Sequence, residues 1–123
     1  MRVVMCKEEM DTDIKLRLSS QRALLGCVTG GLRAVSVEVE ENKIKWRCVF
    51  GSDIAKESQW EVLSEAAAEV IADFPAPYTI EEEYLVVRFR DSENSPPNNI
   101  QHLKNIVFLR NEREKYPELA INT

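Results

Sequence analysis

The stretch LRAVSVEVEENKIKWRCVF, residues 32–50, predicts a β-hairpin and is the clearest hairpin in the sequence. Apolar and polar side chains alternate through both arms, which is the pattern of strands with one buried face. The polar pair Glu41 and Asn42 separates the arms and predicts the turn. On the polar face, Glu38 and Glu40 lie opposite basic residues of the second arm, which favours pairing of the two strands. The predicted apolar face consists of Val35, Val37, Val39, Ile44, Trp46, Cys48 and Phe50.

The segment before the hairpin, DIKLRLSSQRALLGCV at residues 13–28, fits two patterns. The alternation of Ile14, Leu16 and Leu18 is typical of a strand, whereas a second apolar set is spaced like one face of a helix. That second set is Leu18, Leu25 and Val28. We expect a helix that ends near residues 26–27.

The start of this helix depends on where its cap lies. Ser19 and Ser20 are residue types that cap helices, so the helix could begin there. Residues 1–12 have no clear period and predict a loose arm or a short edge strand. Gly30 and Gly31 indicate the turn that leads into the hairpin.

The segment after the hairpin predicts a second helix over residues 53–74. Ser52 or Asp53 is a suitable N-cap, and Pro75 and Pro77 close the helix. Further along, the sequence predicts a strand at 78–90, a polar loop at 91–99, a strand at 105–110 and a frayed or helical tail.

The predicted order of elements is α-β-β-α-β-β. Hairpins without a βαβ rhythm indicate a two-layer α+β domain, an antiparallel sheet of about four strands with both helices on one face. A chain of 123 residues is long enough for one core, so we expect a single domain over residues 1–123, with 1–12 and 112–123 loose.

The composition disfavours several classes of function. A net charge of −5 repels phosphate groups, so direct binding to nucleic acid or an anionic membrane is not expected. No apolar run is long enough to span a bilayer and no secretory signal is evident, so we expect a cytoplasmic protein. Cys6, Cys27 and Cys48 lack the spacing of a disulfide framework or a zinc site and are expected to be free thiols. We expect neither a metal ion nor another cofactor.

Carboxylates recur every four residues along the second predicted helix. Helical geometry places them about 40° apart, on the side opposite the apolar face, where like charges become neighbours. No Lys or Arg lies between residues 59 and 73, and three further acids follow in the next strand. Two interpretations stand: a solvated helix back, or a surface for a basic protein partner. The row is Glu57, Glu61, Glu65, Glu69 and Asp73, and the acids of the strand are Glu81, Glu82 and Glu83.

Catalytic patterns are weak. The single histidine, His102, has no nucleophile and orienting acid at a recognisable spacing, so an enzyme that pairs it with Cys27 or Cys48 ranks last. Trp46 and Trp60 each lie on a predicted apolar face and are expected in the core. A small ligand-binding or regulatory module, dimeric through its sheet edges, is the alternative class of function.

Three strings carry a resemblance to a known family: QRALLG at residues 21–26, LRAVSVE at 32–38 and EVIADFP at 69–75. In this order and at these separations the chain resembles the immunity proteins of contact-dependent growth inhibition systems, over about residues 20–90. The resemblance implies a cytosolic inhibitor, a monomer or weak dimer, that binds the C-terminal domain of a toxin delivered by a neighbouring cell. It also implies stoichiometric occlusion without catalysis.

Many toxins of such systems are nucleases with basic clefts, and an array of carboxylates could occupy such a cleft or cover a nearby surface. The resemblance does not identify the contacts, so charge selects the candidates. The expected toxin-binding residues are Glu57, Glu61, Glu65, Glu69, Asp73, Glu81, Glu82, Glu83, Asp91 and Glu93.

Overall fold

The computed structural model of the chain describes residues 7–88 and 100–111. The predicted α+β class and the order α-β-β-α-β-β are confirmed. The elements are α1 (Lys7–Ala23), β1 (Leu32–Glu40), β2 (Lys43–Phe50), α2 (Asp53–Ala72), β3 (Thr79–Val86) and β4 (Asn105–Leu109).

The hairpin of β1 and β2 forms the centre of a four-stranded sheet with the order β3-β2-β1-β4. Glu41 takes a φ of 57° in the predicted turn, and the two arms pair antiparallel with Val37 opposite Trp46. The Nζ of Lys45 lies 3.9 Å from Glu38 on the polar face, as the alternating pattern predicts. The hairpin therefore supplies the two central strands, and β3 and β4 form the edges.

The prediction of a wholly antiparallel sheet is wrong, because β3 runs parallel to β2. Thr79 lies opposite Lys43 and Val86 lies opposite Phe50, so the two strands share start and end. The cause is α2, which carries the chain back along the sheet before β3 begins, as in any βαβ crossover. The sheet is consequently mixed, while β1–β2 and β1–β4 are antiparallel.

Both helices pack against one face of the sheet. A single core joins Leu16 of α1 and Leu63 of α2 to Val35, Trp46 and the other apolar hairpin residues. Trp46 is fully buried, as predicted. Trp60 is not, since 41% of its surface is exposed at the flank of α2, where its ring meets Tyr84 edge-on at a centroid distance of 6.0 Å.

Residues 100–104, part of the connection from one edge strand to the other, contact the opposite face of the sheet at β1 and β2. Arg47 donates through Nη1 to the carbonyl oxygen of Gln101 at 2.6 Å, and the N–H of Leu103 donates to Ser36 Oγ at 2.9 Å. Because β3 and β4 are at opposite edges, the chain must cross the sheet between them.

The first helix begins earlier than predicted. Residues 7–12 are helical rather than a loose arm, and residues 1–6 lie outside the described residues. Ser19 and Ser20 are buried within α1 and do not cap it. The chain leaves the helix through Gly26, whose φ of 80° is a conformation that favours glycine. Within residues 7–88 and 100–111, no helix combines the length and apolar character needed to cross a membrane.

Candidate functional site

The carboxylate row lies on α2, and local sequence explains why this helix forms. Ser52 caps its first turn by accepting, through Oγ, the N–H of Ala55 at 3.1 Å. Alanines and aliphatic residues then form the face toward the core, with Ala55, Leu63 and Val70 all buried. The start of β1 approaches this face closely, because a Cβ at Gly31 would lie 2.3 Å from the Cβ of Ala55. The side of α2 opposite this contact is therefore presented to solvent.

Four carboxylates of the predicted row occupy that solvent side. Glu57, Glu61, Glu65 and Glu69 are all exposed. None of the four forms a hydrogen bond or an ion pair with any described residue. The last turn of α2 contains no base either, so Glu69 lies at the negative end of the helix dipole without compensation. The four acids together form a free acidic row, and we use that term for Glu57, Glu61, Glu65 and Glu69.

Asp73, the fifth member of the predicted row, has a structural partner instead. Its Oδ2 accepts from Ser19 Oγ at 2.6 Å and also binds the guanidinium of Arg22, both on α1. The hydroxyl of Ser19 is the main cause that lowers the pKa of Asp73, and the charge of Arg22 acts in the same direction. Lys15 adds a cation–π contact at 4.8 Å from the centroid of Phe74. Asp73 therefore joins the two helices.

The three acids of β3 also have partners in the fold. Glu83 accepts from Arg47 Nε at 2.5 Å, and Glu81 lies 4.0 Å from Lys43. Glu82 accepts from two hydroxyls, Ser64 at 2.7 Å and Tyr84 at 2.5 Å. Burial and the bond to Glu82 raise the pKa of Tyr84. These carboxylates connect β3 to β2 and α2, whereas Asp91 and Glu93 lie outside the described residues.

A cavity of about 190 Å³ is lined by residues of the paired strands β2 and β3, namely Lys45, Trp46, Arg47 and Glu81–Glu83. Pockets for small ligands have volumes of roughly 300–1,000 Å³. Charged side chains that already form ion pairs line most of this cavity. Its size and lining give little support to the alternative of a ligand-binding module.

The two described thiols are poorly suited to nucleophilic chemistry. Burial raises the pKa of the Cys48 thiol. Burial, and then the charges of Glu69 and Glu65, raise the pKa of the Cys27 thiol. A nucleophilic cysteine needs a lowered pKa, so both environments oppose that role. Among residues 7–88 and 100–111, no three His, Cys, Asp or Glu side chains form a group that could hold a metal ion.

An apolar surface on α1 and just beyond it was not predicted from the sequence. Leu18, Leu25 and Val28, predicted as the core face of the helix, are exposed, and so are Met10 and Ile14. The buried face carries Leu16, Ala23 and Leu24 together with polar Asp13, Ser19 and Ser20. The spacing of four between the apolar residues 10, 14 and 18 indicates one face of a helix. The buried serines Ser19 and Ser20 made it difficult to recognise which face is exposed.

The chain matches a known protein family. The model of the MafI2 immunity protein matches residues 13–112, which span both helices and all four strands. The predicted class, an immunity protein, is confirmed, while the link to contact-dependent growth inhibition stays a prediction. None of the curated proteins matches the chain. Because the match covers most of its length, the chain belongs to the MafI2 immunity protein family.

Proposed function

We propose that this immunity protein binds the C-terminal domain of a cognate toxin and neutralises it stoichiometrically, with the free acidic row in the interface. The observation that carries the proposal is the contrast within the predicted acidic residues. Glu57, Glu61, Glu65 and Glu69 are exposed and have no partner among the described residues, whereas Asp73 and Glu81–Glu83 have partners within the fold.

The electrostatics of the row favour a basic partner. Four uncompensated carboxylates along one helix produce a field that attracts positive charge and accelerates association. The same charges repel one another in the free protein, at about 0.2–0.5 kcal/mol for each neighbouring pair. A basic toxin surface would relieve that repulsion on binding. The loss of the repulsion therefore contributes to the binding free energy.

The charge of the row favours a nuclease as the toxin. A nuclease domain has a basic cleft for phosphate groups, and a row of carboxylates about 6 Å apart along a helix can lie along such a cleft. We place the encounter in the cytoplasm, after delivery of the toxin by a neighbouring cell. Inhibition needs no chemistry from the immunity protein, and the raised pKa values of Cys27 and Cys48 are consistent with that.

For the experiment, the cognate toxin domain is sought among the genes that flank this one and is produced as an inactive variant. The association rate is measured with the wild-type chain and with Glu61→Gln/Glu65→Gln at several salt concentrations. We expect the double substitution to lower the association rate by about three- to tenfold at low salt and less at high salt. Circular dichroism establishes that the fold is native.

The matched control is Glu40→Gln/Glu41→Gln at the hairpin turn, where both acids are also exposed. Each double variant changes the net charge from −5 to −3, so a general effect of charge would affect both equally. Reversal of Glu61, Glu65 and Glu69 to Lys should also abolish protection of cells that express the active toxin. Unchanged association by a natively folded reversal variant would remove the row from the interface.

A further inference from the structure

The outer side of α1 carries exposed apolar side chains that the fold does not use. Met10, Ile14 and Leu18 are 49%, 46% and 61% exposed, and Leu25, just beyond the helix, is 78% exposed. On a helical projection with Met10 at zero, Ile14 and Leu18 fall at about 40° and 80°, so the three form one stripe about 12 Å long. We refer to Met10, Ile14, Leu18 and Leu25 as the apolar stripe.

The apolar stripe lies beside the free acidic row on the same outer surface. On the projection of α1, Lys15 and Ser19 fall at about 140° and 180° and mark the side that faces α2. Lys15 contacts Phe74 and Ser19 donates to Asp73, so the stripe at 0–80° is adjacent to this helix–helix contact, on its outside.

The row approaches α1 from the other helix. With Glu57 at zero, Glu65 and Glu69 fall at about 80° and 120°, and Asp73 at about 160° contacts α1. The C-terminal end of the row therefore lies on the side of α1 next to the stripe, with Arg22 at about 120° between them. Cys27 lies between exposed Leu25 and Val28, and its pKa is raised by burial and then by the charges of Glu69 and Glu65, which agrees with this placement.

We infer that the apolar stripe and the free acidic row form one composite interface for the toxin domain, in which the stripe is the anchor and the row steers association. The inference rests on the proposed function. It specifies the chemistry of the partner, which is an apolar projection bordered by basic residues. Interfaces generally combine a few buried apolar anchors with a charged rim, and this surface offers both.

Size and charge favour the toxin over a second copy of this chain. An exposed apolar patch of a few hundred Å² is often functional, but a stable interface needs roughly 800 Å² per partner, so the stripe needs its neighbouring surface. A second copy would bring another free acidic row into the same contact. Lys15 and Arg22 of α1 already contact Phe74 and Asp73, and exposed Arg17 beside the stripe adds only one positive charge, which cannot compensate four carboxylates. A basic toxin surface can compensate the carboxylates of the row.

The test compares two matched double variants of the full chain. Ile14→Ala/Leu18→Ala truncates the stripe. Ile106→Ala/Leu109→Ala truncates two side chains of β4 with similar exposure, 48% and 57%. The probe is the same inactive toxin domain, and the association and dissociation rates are measured at low and high salt.

We expect the stripe variant to bind between about tenfold and a hundredfold more weakly, because apolar area is no longer buried. The loss should lie in the dissociation rate and should be independent of salt, in contrast to the effect of Glu61→Gln/Glu65→Gln. The β4 variant should bind like the wild type.

Three results would overturn the inference. If the stripe variant binds normally while the acidic variant binds slowly, the proposed function stands and the anchor lies elsewhere. If the wild type is a dimer that the stripe variant converts to monomer, with toxin affinity unchanged, the stripe is a contact between copies. If the wild-type chain does not bind the toxin domain at all, the proposed function fails first, and the inference fails with it.

Discussion

Neutralisation of Glu61 and Glu65 should make the free protein more stable while it weakens toxin binding. The two residues are exposed and take part in three like-charge pairs of the free acidic row, 57–61, 61–65 and 65–69. Each pair costs about 0.2–0.5 kcal/mol, so Glu61→Gln/Glu65→Gln should raise the free energy of unfolding by about 0.6–1.5 kcal/mol. Glutamine keeps the shape and the helix propensity, so charge is the main variable.

The assay is urea unfolding followed by circular dichroism, at low and at high ionic strength. An unfolding entropy of about 2.1 cal/mol/K per residue converts the expected gain to a rise in Tm of about 2–6 °C for a chain of 123 residues. Because the carboxylates are in contact with solvent, salt should reduce the gain. The control Glu40→Gln/Glu41→Gln should change stability by less than about 0.5 kcal/mol.

Two results would refute the reasoning. A double variant that is no more stable at low salt would show that the carboxylates do not repel one another, and the row would then need no partner for relief. A gain that persists at high salt would point to a cause other than charge, such as propensity or packing. A gain in stability together with slower toxin association would establish that the row is maintained for binding at a cost in stability.

The remaining predictions concern the scaffold that holds the two helices. Gly31→Ala should lower the free energy of unfolding by about 1–3 kcal/mol, because its Cβ would collide with Ala55. Gly30→Ala should not lower it, because no atom lies within 4 Å of the Cβ that would be added there. The pKa of Asp73 is lowered in the folded state, chiefly by the Ser19 hydroxyl, so its carboxylate stabilises the fold above its ordinary pKa. That contribution is lost as pH falls below about 4, and Asp73→Asn should flatten the decline in Tm there, whereas an unchanged curve would contradict this role.

The sequence predicts the sheet well where alternation is strong. In the hairpin, every second residue from Val35 to Val39 and from Ile44 to Phe50 is apolar, and the observed register follows from that pattern and the turn. The predicted direction of β3 was wrong because the alternation of apolar and polar residues does not encode strand direction. It depends on the path of α2, and the same pattern serves a parallel or an antiparallel neighbour.

In the first helix, the periodicity of apolar residues does not predict which side chains are buried. Ser19 and Ser20 are buried, and Ile14 and Leu18 are exposed, so a reading that places apolar residues inside and polar residues outside fails here. Ser19 can be buried because its hydroxyl donates to Asp73, more than fifty residues away in the sequence. Long-range partners of this kind leave no local signal.

The acidic row was predictable as a pattern, but its division was not. A spacing of four advances about 40° per step, so five carboxylates cannot all face the same way. The first four reach solvent, and the fifth turns far enough to contact Ser19 and Arg22 on α1.

That division agrees with the strings that carry the family resemblance. Arg22 lies in QRALLG and Asp73 in EVIADFP, so the contact between α1 and α2 joins two of them. LRAVSVE forms most of β1, a central strand of the sheet. The resemblance therefore lies in the scaffold, which positions α1 and α2 side by side. Apart from Glu69, which lies in EVIADFP, the free acidic row and most of the apolar stripe lie outside those strings, so the proposed interface can vary without a change to the scaffold.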